Sequence, residues 1–187
     1  MMRNVLCFVL LVCCGGCNLF QTRDPQPPSQ ASVGVTPPIT PEIVLANLQL
    51  SIQSHNTDNY MRCFVDTTIP GAPIFTFVPS ADFQGIFKNW QLEDERRYFQ
   101  NLGAPTSGSP YLTTSSEQYI NQASTTAEYT ADYILFYPHH QAGVPTEVRG
   151  YMHLYLQTDG QHGWSIYRWE DTRTTTDSTW SYLKAHF

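Results

Sequence analysis

The chain has 187 residues, with 10 basic and 16 acidic side chains, a formal net charge of −6 and 13% aromatic residues. That length holds one domain of ordinary size with some chain to spare. The acidic balance argues against nucleic acid or an anionic membrane surface as a partner, because both are recognised by clustered cations.

The first element is apolar. Met1-Met2-Arg3-Asn4 carries one positive charge, an apolar run follows from Val5 to Cys14, and Gly15-Gly16-Cys17 closes it. A basic start, roughly ten apolar residues and small residues before a break are the parts of a secretory signal. The run is too short for the roughly twenty apolar residues that a bilayer-spanning helix needs. The residues before Cys17 resemble a lipobox, where lipoprotein signal peptidase cuts ahead of a cysteine that has received a diacylglycerol. The resemblance implies loss of residues 1–16, fatty acyl chains such as palmitate on Cys17, and an extracytoplasmic site. Cys14 stands where the lipobox has leucine, Cys13 and Cys14 are alternative acceptors, and an ordinary secretory signal is the other reading. Asn18, rather than aspartate, implies by the same pattern passage from the periplasm to an outer membrane where the organism has one.

Cleavage would leave Cys17 and Cys63, and a net charge of −7. Cys63 would then lack an intramolecular partner, and its neighbour Phe64 suggests a buried, inert thiol. Residues 17–39 read as the lipidated cysteine and a tether. Gln21 to Ile39 lacks hydrophobic periodicity, and its prolines favour an extended, solvated chain. About twenty such residues at roughly 3 Å each could reach on the order of 60 Å from a lipid surface.

Residues 40–187 read as a single domain. Thr40 as N-cap, Pro41 at the first helical position and Glu42 in the first turn predict a helix whose stripe is Val44, Leu45, Leu48 and Ile52. His55-Asn56-Thr57-Asp58 interrupts it, and Thr57 or Asp58 could cap a second helix carrying Tyr60, Met61, Cys63 and Phe64. Ile74–Val78 reads as a strand after Pro70-Gly71, and Leu92 to Leu102 as a helix ended by Gly103 and Pro105. Glu93-Asp94-Glu95-Arg96-Arg97 reads as its solvated face.

The second half is read as strand. Tyr129, Ala131, Tyr133, Leu135 and Tyr137 alternate with Thr130, Asp132, Ile134 and Phe136. Val148, Met152, Leu154 and Leu156 alternate with Arg149, Tyr151, His153 and Tyr155, and Asp159-Gly160 marks a turn before Trp164–Trp169. The order predicts an α+β fold with N-terminal helices packed on a curved, mainly antiparallel sheet. The helix through Leu45 to Ile52, the segment Asn59-Tyr60-Met61-Arg62-Cys63-Phe64 and the closing Gly163 to Asp171 together resemble the nuclear transport factor 2-like, or SnoaL-like, cone fold. Over residues 40 to 171 that resemblance implies a cavity between helices and sheet that often holds a ligand. The start Cys17 to Pro25 is also similar to uncharacterised bacterial lipoproteins carrying such domains.

No P-loop, dinucleotide fingerprint, nucleophile elbow or His-Glu-x-x-His is present, and no metal or cofactor is expected. His139-His140 reads as part of a solvated hairpin loop. His153, between Tyr151 and Tyr155, could work as acid or base if its face lines the cone. Asp132, between apolar neighbours, could be a base of raised pKa, or could pair with Arg149 across the hairpin. Tyr133, Tyr151, Tyr155 and Trp169 are the candidate ligand contacts, while Trp164, Tyr167, Trp169 and Tyr133 could equally be core. The expected function is non-enzymatic, a membrane-anchored domain that binds a small apolar ligand or another envelope protein. The alternatives are a cone-fold isomerase, dehydratase or hydrolase using His153 or Asp132 as general base, and a structural role in envelope assembly.

Overall fold

The computed structural model describes residues 34–158 and 160–187. The expected signal, Cys17, most of the expected tether and Asp159 of the expected turn lie outside the described residues. Among the described residues no helix is long and apolar enough to cross a membrane.

The packed domain runs from Val35, five residues before the boundary read at 40. Asn47 draws the chain in by accepting from Thr36 N at 3.2 Å and donating to Thr36 O at 2.7 Å. Trp164 N then donates to Pro38 O at 2.6 Å. Gly163 permits this approach, since its φ is +89° and a Cβ there would lie 2.8 Å from Pro38 O.

Helix α1 (Pro41–Gln53) buries the expected stripe of Val44, Leu45, Leu48 and Ile52. Thr40 takes the N-cap position without a side-chain cap bond. Helix α2 (Thr57–Met61) is capped by Asn56, whose side chain accepts from Asn59 N at 2.9 Å, rather than by Thr57 or Asp58. It stops before Cys63 and Phe64, because Val65 N donates to Ile166 O of the sheet and Cys63 O accepts from Ile166 N, which pulls that segment into an isolated parallel bridge. Strand β1 (Thr76–Val78) is followed by a 3-10 turn at Ala81–Phe83 and by helix α3 (Leu92–Asn101). Asp94 accepts from Gln91 N at 2.9 Å and fixes the start of α3.

The sheet follows as β2 (Tyr111–Ile120), β3 (Thr126–Phe136), β4 (Glu147–Thr158) and β5 (Trp164–Thr172). Its order is β1-β5-β4-β3-β2, an antiparallel meander with β1 added parallel to β5, and register shifts in β2 and β5 bend it. Helices packed on a curved, mixed sheet make the fold α+β, as the sequence order predicts. The face toward the helices carries Tyr129, Ala131, Tyr133 and Leu135 from β3 and Val148, Met152, Leu154 and Leu156 from β4, all buried. A last helix, α4 (Trp180–Lys184), enters from the end of the chain and is itself buried.

Candidate functional site

Three places could carry function: the interior between helices and sheet, the outer sheet face, and an open groove.

The interior is polar at its centre. Glu95 of α3 and Lys184 of α4 are fully buried. Lys184 Nζ lies 2.8 Å from each Glu95 oxygen, and Tyr60 and Trp90 donate to the same carboxylate at 2.6 and 2.7 Å. The ammonium also sits 3.8 Å over the Phe77 ring and 4.0 Å over Trp169. Burial pulls the Lys184 pKa down, and the Glu95 charge opposes that shift.

One layer away is Asp171 of β5. Tyr133 OH donates to it at 2.6 Å and Ser181 N at 2.6 Å, with the Ser181 hydroxyl as a further partner. Tyr133 OH in turn accepts from Trp180 N at 2.7 Å, and Trp180 Nε1 donates to Tyr98 OH at 2.9 Å. The Tyr133 side chain reaches Asp171 by lying across Gly150, where a Cβ would fall 2.8 Å from both Tyr133 OH and Thr172 O. Burial, reinforced by the nearby carboxylates, raises the Tyr60, Tyr98 and Tyr133 pKa values well above the usual phenol. These phenols therefore stay protonated well into alkaline pH, and Tyr60 and Tyr133 donate to carboxylates. Trp169 packs at 4.5 Å edge-on to Trp180, and its Nε1 has no hydrogen-bond partner among the described residues. Trp180 and Lys184 thus fill the space that a ligand in the cone would need.

Sequence reasoning missed most of this set, though two signals were present. Glu95 was read as part of a solvated face, yet it stands three and four residues before Tyr98 and Phe99, on the stripe that packs inward. Asp171 follows Trp169 at the strand period, which puts it on the core face. Lys184 gave no such signal, because a five-residue helix has too little length for a periodic pattern.

The proposed bases lie elsewhere. His153 and Asp132 are both on the outer face of the sheet, and Thr130 and Tyr151 are their cross-strand partners. His153 Nε2 is 2.7 Å from Glu128 Oε2, its ring stacks on Tyr155 at 4.2 Å, and Glu170 stands at 4.0 Å. Asn121, donating at 2.8 Å, and His153 together hold the Glu128 carboxyl below its ordinary pKa. Arg149 pairs with Glu147 at 2.7 Å instead of with Asp132. Of the candidate ligand contacts, Tyr133 and Trp169 are interior, while Tyr151 and Tyr155 share the outer face with His153. The sheet therefore divides the set instead of gathering it.

His139, expected in a solvated loop, is buried. Its ring packs on Phe187 at 4.8 Å and meets Pro145 O at 3.2 Å, while His140 is exposed. Cys63 is buried as expected, and burial pushes its thiol up to about 12. Among the described residues no group of three or more His, Cys, Asp or Glu is placed to hold a metal ion.

The open concavity is a groove of about 800 Å³ between the Met61–Ala72 segment, the start of α3 and the β4–β5 turn. Its apolar wall includes Pro38, Met61, Phe64, Ile69 and Trp164, and Asp66, Arg96 and other charged groups stand at it. That volume is in the range of small-molecule sites, and the mixed wall suits a ligand that is apolar in body and polar at its ends.

No protein-family model matches the sequence, and no curated protein sequence matches it. Solved structures do. A candidate scytalone dehydratase from Novosphingobium aromaticivorans superposes with a TM-score of 0.55 over 73% of this chain and 83% of its own, at 11% identity. A candidate dehydratase of the nuclear transport factor 2-like family from Streptomyces avermitilis gives 0.54 over 72% and 94%, at 9% identity. A nuclear transport factor 2-like protein from Cytophaga hutchinsonii gives 0.51 over 70% and 93%, at 8% identity. The fold is the nuclear transport factor 2-like cone. At these identities the likeness is one of fold, and the activity in a neighbour's name belongs to that neighbour. In this cone α4 is packed into the interior, and the groove beside Pro38 is a concavity open to solvent.

Proposed function

We propose that this chain is an extracytoplasmic binding module, anchored by lipid on Cys17 and held off the membrane by its proline-rich tether. In this reading the cone interior serves structure and the groove beside Trp164 takes the ligand, a small molecule of largely apolar body. The observation that carries the reading is the buried Glu95–Lys184 pair with Trp180 beside it, which fills the interior, while the groove is accessible and has an apolar wall. The signal-like start, the small residues before Cys17 and the Pro-rich run support the anchor.

The dehydratase names among the fold neighbours favour a second reading, a cone-fold enzyme. Against it, Glu95 and Asp171 are engaged on both oxygens by internal donors. His153 and Asp132 sit on the outer face and do not line the groove, so neither is presented to a bound substrate there.

Two measurements test the proposal. Expressed with its full N-terminus in a bacterial host, the chain partitions with membranes and incorporates a palmitate analogue, and Cys17→Ala abolishes both. Recovery of the unsubstituted chain in the soluble fraction without label would contradict the anchor. The dye 1-anilinonaphthalene-8-sulfonate binds the folded domain, and Ile69→Glu in the groove wall weakens it about tenfold, or about 1.4 kcal/mol. His153→Ala leaves binding unchanged. Equal affinity in Ile69→Glu and the unsubstituted chain would remove the groove as the site.

A further inference from the structure

We propose that the interior of this cone is a built site for a primary ammonium group, occupied in cis by the side chain of Lys184. The site has the parts that recognise an alkylammonium ion. Glu95 offers both carboxylate oxygens at 2.8 Å, and its remaining capacity is taken by Tyr60 OH and Trp90 Nε1, which hold the carboxylate in place. Phe77 and Trp169 present ring faces at 3.8 and 4.0 Å, and Tyr98 stands at 5.7 Å. A carboxylate with aromatic faces on the other sides is how proteins hold organic cations away from water.

The walls come from separate elements: α2, the turn before α3, α3 itself, β1 and β5. The occupant comes from α4 alone. Helix α4 has five residues, too few to be stable by itself, so its position rests on what it docks into. Its docking contacts are side chains of the cone interior: Tyr133 of β3 and Asp171 of β5 accept from its first backbone N–H groups, Tyr98 accepts from its tryptophan, and Glu95 takes its lysine. The C-terminal segment is thus bound to the cone as a ligand is bound, with Lys184 as the anchoring group. Linkage through the chain gives it a high effective concentration, so a free amine is expected not to displace it.

The test empties the site and refills it. Lys184→Ala in the full domain lowers the melting temperature. Propylammonium, which carries the carbons and the nitrogen that this substitution removes, raises it again by several degrees in a saturable manner. Sodium chloride at equal ionic strength, propanol and tetramethylammonium do not, and none of these additives does so in the unsubstituted chain. Where Lys184→Ala alone does not fold, the same comparison is read as refolding yield from urea. Recovery by propanol equal to that by propylammonium would overturn the proposal, as would equal recovery by propylammonium in Lys184→Ala/Glu95→Gln. Independently, Lys184→Met melts below Lys184→Met/Glu95→Gln, since the single variant leaves a buried carboxylate without its cation. Equal or reversed melting temperatures would contradict an ammonium site.

Discussion

Gly150 shows how one residue can set a site. It faces Tyr133 across the β3–β4 ladder, and its missing side chain is the space through which the phenol reaches Asp171. Gly150→Ala would place a methyl 2.8 Å from Tyr133 OH and from the backbone oxygen of Thr172. The phenol could swing aside, but the strand backbone has little room to give. A loss of about 1–3 kcal/mol is expected, seen as a lower urea midpoint with an unchanged denaturant slope. Tyr133→Phe/Gly150→Ala should be less than additive, because the phenol oxygen that the methyl meets is already gone. Full additivity would mean that the clash is with Thr172 O and the Tyr133 ring carbon at 3.0 Å, which phenylalanine keeps, and not with the phenol oxygen. Individual residues were only partly legible in the sequence. His139 looked solvated because its loop carries Pro and Gly, and it is buried because the distant C-terminal Phe187 packs against its ring. Cys63 was legible from its apolar neighbour, whereas Lys184 was not, since nothing local distinguishes a lysine that meets Glu95 across 89 positions of chain.

Among the elements, those with a buried face and some length were visible. The α1 stripe repeats every three or four residues, and β3 and β4 alternate cleanly because one face meets the helices. Strand β2 was missed for the opposite reason. It is an edge strand in which Leu112 is the buried residue, so Thr, Ser and Gln fill both faces and no alternation arises. A bulge with Ser116 at φ +54° further breaks its period, and it also makes the open edge a poor template for another strand. Helix α4 was missed because five residues cannot display a helical period. The ends of elements followed tertiary contacts more than local signals. Helix α2 stops at Met61 because the next residues bond to β5, although Cys63 and Phe64 would continue its apolar pattern. The packed domain begins at Val35 because Asn47 and Trp164 bind backbone that composition alone assigns to the tether.

For the whole molecule, the arrangement is a cone closed from within, and its buried ionisable groups give it a distinct response to alkali. Cys63, Tyr60, Tyr98, Tyr129 and Tyr133 all have native pKa values raised by burial, Cys63 and Tyr129 to about 12. Between the unfolded and native values the native state holds more protons than the unfolded chain, so stability falls as pH rises. The contribution is complete below the unfolded thiol and phenol values, near pH 9 to 10, and is lost progressively above them. Lys184 has a lowered value and acts in the other direction, adding stability as pH rises toward its unfolded pKa near 10.5. One such group is outweighed by several acids. Urea midpoints should therefore be level from pH 7 to about 8.5 and drop steeply above, and Cys63→Ala should remove the earliest part of the decline. Midpoints that hold level to pH 11 would contradict burial of these phenols. The central claim, that α4 closes the interior, is tested most directly by native-state amide hydrogen exchange at residues 180–185. The backbone N–H groups of Trp180 and Ser181 bond to Tyr133 and Asp171 inside the cone, and that of Ala185 bonds to Ser181 O. Protection at these amides approaching that of β3 and β4 is the predicted result; exchange as fast as in the preceding exposed segment, Arg173–Asp177, would contradict a closed cone.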